Sequence, residues 1–195
     1  EVLISPWSER CSQLLGPNLT ILKIGCFALP QLVSIGEWTQ FALPPSPKAS
    51  PHLGTLPTSL TRIEFLVGHN LPTFNQLVAS VPTSVKQLVI AGINVDEQLA
   101  AHLPRHLERL EMPQTQLRTK AVINALPQAH LSCLTVSNMV SQLVSRLPPR
   151  LTRLHTQIVW LDPNPSTAFT SAIAGLKRLP LEHVSTVTPQ ERTLF

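Results

Sequence analysis

His102 and His106 stand four residues apart in "HLPRH", the spacing that lets two imidazoles on one helical face share a zinc ion. Pro104 lies between them, where a helix is expected to stop, so these are expected to be turn histidines rather than a metal pair. His130 and Cys133 form H-x-x-C with no partner pair, and Cys133 is expected to face the sheet surface as a small neutral residue. Nucleophilic catalysis needs a base held by an orienting acid, yet Asp occurs only at 96 and 162, each beside an expected helix start. Glu64 and Glu111 fall on strands as solvated residues, not as a glycosidase pair. "AIAGLKR" has too few glycines to cradle a phosphate. The residues therefore point to a chain that is not an enzyme and holds no metal and no small-molecule cofactor.

The elements that carry these residues repeat. "LPTSLTRIEF" at Leu56 returns as "VPTSVKQLVI" at Val81, "LPRHLERLEM" at Leu103, "LPQAHLSCLT" at Leu126 and "LPPRLTRLHT" at Leu147. The ruler Leu-x-x-Leu-x-apolar fits Leu19/Leu22/Ile24, Leu60/Ile63/Phe65, Val85/Leu88/Ile90, Leu107/Leu110/Met112 and Leu131/Leu134/Val136. It also fits Leu151/Leu154, with Thr156 third, and Leu176/Leu179/Leu181, so that the starts from residue 60 step by 25, 22, 24, 20 and 25. A degraded copy begins at Leu32, with Glu37 in an apolar place.

Apolar residues at period two make a short strand with one face turned inward. The segments 95–103, 118–126, 137–147 and 166–176 instead space them by three to four, which predicts amphipathic helices. Asn94 or Asp96, Ser137, and Asn164 with Pro165 are their expected starts. Pro104, Pro127 and Pro148 follow the helices and stop them. Neither face can be buried by one unit, so stacked parallel copies are expected to share a continuous core.

This pattern resembles the leucine-rich repeat family over about 160 residues, from Leu19 to Val184. The resemblance implies an α/β solenoid with a curved parallel sheet on the concave side and helices on the convex side. Residues 1–195 would form a single array of about seven to eight repeats, with 41–55, which holds four prolines, as a surface loop. The family's turn Asn, Cys or Thr is met by one copy only: those places hold Phe27, Gly68, Ile93, Thr115, Met139 and Val159. The sequence predicts irregular turns there, or an offset using Asn70, Asn94 and Asn138. "LPTSL" and "VPTSV", with Phe74-Asn75-Gln76 between them, also resemble the FNIP repeat over little more than one unit.

Composition bounds the partner. The charge of +4 over 195 residues comes from scarce acids, two Asp and nine Glu, rather than from a basic run, which argues against nucleic acid. No apolar run reaches bilayer length, and no membrane association is expected. Three cysteines without a C-x-x-C pair predict a reducing, cytoplasmic setting, although "NLT" at Asn18 is a glycosylation pattern. Residues 1–15 show no signal peptide, and neither end reads as a designed stop, so the array is expected to be a piece of something longer.

Strand alternation then sends two rows outward. Ile21, Arg62, Gln87, Arg109, Cys133, Arg153 and Arg178 precede the second ruler apolar; Lys23, Glu64, Val89, Glu111, Thr135, His155 and Pro180 follow it. Such a mixed surface, poor in aromatic residues, suits a protein or peptide partner bound by Arg62, Glu64, Gln87, Arg109, Glu111, Arg153, His155 and Arg178. The expected function is a non-catalytic protein-protein interaction scaffold, such as the recognition part of a larger adaptor of the F-box kind. The alternatives are a secreted, effector-like or cell-surface recognition protein, and the repeat region of an enzyme whose catalytic domain lies elsewhere.

Overall fold

Proline ends one element and starts the next. Val81, Leu103, Leu126 and Leu147 each donate a last N–H to a carbonyl three residues back, at 3.2, 3.2, 3.1 and 3.3 Å. The next residue, Pro82, Pro104, Pro127 or Pro148, has no N–H with which to continue. A proline carbonyl then accepts from the first ruler residue: Leu60 to Pro57 at 3.1 Å, Val85 to Pro82 at 3.1 Å and Leu151 to Pro148 at 3.2 Å. Leu126–Leu131 holds one residue more than the other copies, and there Gln128 Nε2 donates to the Ile123 carbonyl at 2.8 Å.

A computed structural model describes residues 2–4, 15–26, 56–67, 74–159 and 165–185. The expected loop at 41–55, the expected copy at Leu32, Asn70, Asp162 and Asn164 lie outside them. The fold is α/β with parallel strands, and its contacts form two compact units, Glu1–Ile93 and Asn94–Phe195.

In the first unit β1 (Val2–Ile4), β2 (Ile21–Cys26), β3 (Arg62–Val67) and β4 (Gln87–Ala91) pair in chain order, all parallel. The ruler residues Leu22, Ile24, Leu60, Ile63, Phe65, Val85, Leu88 and Ile90 are fully buried. Each such side chain contributes about 1.5–3 kcal/mol on leaving water. Helix α1 (Phe74–Ala79), which the sequence did not announce, brings Phe74 edge-on to Phe65 with ring centroids 5.3 Å apart. Gly92, at φ 96°, turns the chain out of β4 so close to the Val67 carbonyl that a Cβ would overlap it.

The second unit comprises α2 (Glu97–Ala101), β5 (Arg109–Leu117), α3 (Lys120–Ala125), β6 (Cys133–Val140), β7 (Arg153–Val159), α4 (Pro165–Lys177) and β8 (His183–Ser185). Its four strands are again parallel and in chain order. Asp96 caps α2 by accepting from Leu99 N at 2.9 Å, as its position predicts. Thr119, not foreseen, caps α3.

Two expectations are corrected here. Residues 137–147 do not form a helix: β6 runs on to Val140 because Asn138 and Met139 pair with Gln116 and Leu117, leaving a 3-10 turn at Ser141–Arg146. Helix α4 packs on that turn through Gly175, where a Cβ would meet Val144 Cγ1 at 3.0 Å. The last ruler is not Leu176/Leu179/Leu181. Helix α4 occupies residues up to Lys177, and the parallel register sets Arg153 against His183 and Leu154 against Val184, five residues later than expected.

The offset reading of the turns holds at Asn94, whose Oδ1 accepts from Gln116 N at 2.9 Å, while buried Thr115 accepts from Val95 N at 3.0 Å. Two substitutions test these devices. Gly92→Ala is expected to lower unfolding free energy in urea by about 1–3 kcal/mol through strain. Thr115→Val is expected to cost about 1–3 kcal/mol by stranding the buried Val95 N–H. Neutral effects would contradict both placements.

Candidate functional site

The outward rows follow from one recurring junction. The carbonyl just after the first ruler residue accepts two successive N–H groups from the next repeat. Thr20 O takes Thr61 and Arg62 N at 3.0 and 3.1 Å, and Thr61 O takes Lys86 and Gln87 N at 2.9 and 3.0 Å. In the second unit Glu108 O takes Ser132 and Cys133 N at 2.8 and 3.1 Å, and Ser132 O takes Thr152 and Arg153 N at 2.8 and 3.0 Å. The hydroxyls of Thr61, Ser132 and Thr152 donate to the same carbonyls. This ladder aligns equivalent residues of neighbouring strands side by side.

On the first unit the register brings Ile21, Arg62 and Gln87 into one row and Lys23, Glu64 and Val89 into the next. Glu64 sits between two cations: Arg62 Nη2 lies 2.7 Å from Oε1 and Lys23 Nζ 3.4 Å from Oε2. The Glu64 side chain is 14% exposed, and its one negative charge is shared by the two cations. Gln87 is half-buried beside Arg62.

On the second unit Arg109, Cys133 and Arg153 share a row, as do Glu111, Thr135 and His155. Arg109 Nε donates to Glu111 Oε1 at 2.7 Å. Arg153 is freer: its side chain is 57% exposed, and Glu182 Oε2 stands 4.0 Å from its Nε. Cys133 between them is buried, and burial pushes its thiol above the usual range. Arg109 and Arg153 pull in the opposite direction and Glu111 pushes with burial.

Seven of the eight expected contact residues therefore lie on outward strand positions. Arg178 does not: it stands in the turn after α4, exposed, and its expected place in the Arg109 row belongs to His183. The error is that of the last ruler, since a long helix was read as strand.

A third row escaped sequence reasoning. Gln116, Asn138 and Gln157 are in register across β5, β6 and β7, beyond the ruler motif, and all three are half-buried. Two extra residues in β5 and one in β6 interrupt the pairing before this row, so even spacing could not find it. The signal that existed was the return of alternation at "TQL" and "TQI".

Elsewhere, a ring nitrogen of His102 bonds the Gln98 carbonyl at 2.7 Å, which commits that imidazole to its own helix. Arg105 Nη1 donates to Ala125 O at 2.9 Å, satisfying a helix C-terminal carbonyl. Asn18 is exposed in the turn closed by Leu19 N on Gly16 O. Among the described residues no cluster of three or more His, Cys, Asp or Glu side chains could hold a metal ion. No described helix is long and apolar enough to cross a membrane. Compared with known proteins, the chain matches no family model and no curated protein.

The state of Cys133 can be tested directly. In a Cys11→Ser, Cys26→Ser background, its thiol is expected to react with a disulfide reagent at neutral pH far more slowly than in urea. The raised value means the folded chain keeps the proton, so this group favours folding below its ordinary pKa and loses that contribution as alkali ionises it. Equal rates in native buffer and urea would contradict the burial.

Proposed function

We propose that the chain is a leucine-rich-repeat-type solenoid and a non-catalytic scaffold that binds a protein or peptide on the open, concave face of its sheet. The observation that carries this reading is the register of polar side chains on the outward rows, above all Arg109, Cys133 and Arg153 beside Glu111, Thr135 and His155. Strands buried on one face and polar on the other present a fixed array of donors and charges at strand spacing, which suits a macromolecular surface more than a small molecule. The absence of a readable catalytic group in the sequence and the commitment of Glu64 and Glu111 to ion pairs agree with a binding role. The sparse cysteines favour the cytoplasm.

The reading predicts that an Arg109→Glu, Arg153→Glu double variant, folded by circular dichroism, loses a protein that the unaltered chain captures from native lysate. Identical captured proteins, measured by mass spectrometry, would move the site off this face.

A further inference from the structure

The second unit's outward face has three distinct levels. At the strand starts, Arg109 and Arg153 flank Cys133, and the two arginine Cα atoms are about 10 Å apart because two strand spacings separate them. Cys133 is 5% exposed and forms a low floor between two long cations. Glu111, Thr135 and His155 make the middle level. At the far end lie Gln116, Asn138 and Gln157, and among the described residues none of these three carboxamides has a hydrogen-bond partner.

Each carboxamide offers both a carbonyl acceptor and an N–H donor, the same pair that a peptide group offers. Three of them across three strands span about 10 Å, the length of about three extended residues. The arginine level lies four residues down β7, from Gln157 to Arg153, or about 13 Å away. A chain segment crossing the strands obliquely can therefore meet both levels. The cationic level suits one carboxylate rather than a polyanion, because Glu111 already holds Arg109 and Glu182 stands beside Arg153. The described residues of these rows include no Phe, Tyr or Trp, and the His155 imidazole is their one ring on which a base could stack.

We propose that this face holds an extended peptide bearing an acidic side chain, whose carboxylate seats over Cys133 between Arg109 and Arg153 while main-chain amides about four residues away bond Gln116, Asn138 and Gln157. The proposal rests on the protein-binding reading above and names the chemistry of its partner.

The test pans a display library of short random peptides on the full chain and measures the selected peptides by fluorescence anisotropy. Selected sequences are expected to share Asp or Glu at one fixed position. Their affinity should fall about tenfold or more in Arg153→Glu, and similarly in Asn138→Leu or Gln157→Leu. It should be unchanged in Gln76→Ala, an exposed position on α1 of the first unit, with circular dichroism confirming that each variant folds. Selected peptides without an acidic preference, or indifferent to these variants, would overturn the proposal and leave the scaffold reading standing. So would failure to select any peptide while a lysate protein is still lost from the Arg109→Glu, Arg153→Glu variant. Arg153-dependent retention of a random single-stranded oligonucleotide pool would overturn both.

Discussion

Four described strand junctions share one device, a carbonyl that serves two donors. The oxygen of Thr20, Thr61, Glu108 or Ser132 accepts consecutive N–H groups from the next strand's start, and this junction holds the neighbouring strands in parallel register. A slip of one residue would turn Ile63, Phe65, Leu88 and Ile90 to the open side and bury Arg62 and Glu64. The apolar stack and the backbone junction thus select the same register, and that agreement makes short strands sufficient.

The same constraint builds the outward face. Because equivalent residues are held side by side, a substitution in one repeat acquires neighbours from the adjoining strands. Glu64 lies between Lys23 and Arg62 on the first unit, and Cys133 lies between two arginines on the second. Surface ion pairs of this kind contribute only about 0–1 kcal/mol each, so their arrangement matters more to recognition than to folding.

Much of this was legible in the sequence. The leucine ruler located the buried residues Leu60, Ile63, Phe65, Leu107, Leu110 and Met112, because burial of one strand face imposes period two. The Leu-Pro phrase located the helix stops, since proline lacks the donor a helix needs. Other features were not legible, for physical reasons. Pro113 and Gln114 interrupt the alternation in β5, yet the strand resumes at Gln116 because Asn94 and Thr115 supply side-chain acceptors from 20 or more residues apart in sequence. "SNMVSQLVSRL" carries helical spacing, but β5 and β7 pair with Asn138 and Met139 from both sides, and β7 also pairs with Val140. The final repeat was misplaced because Leu176 and Leu179 keep the ruler spacing on and just beyond a helix. Arg178 fell with it. The carboxamide row, which depends on unequal insertions in β5 and β6, was invisible to any fixed period.

Amide hydrogen exchange followed residue by residue is the most direct test of the shared-carbonyl junction. The paired amides of Lys86 and Gln87, Ser132 and Cys133, and Thr152 and Arg153 are expected to be protected together, opening only with their own unit. Exchange at these pairs as fast as in the unfolded chain would contradict the parallel register, and with it the placement of every residue on the outward rows.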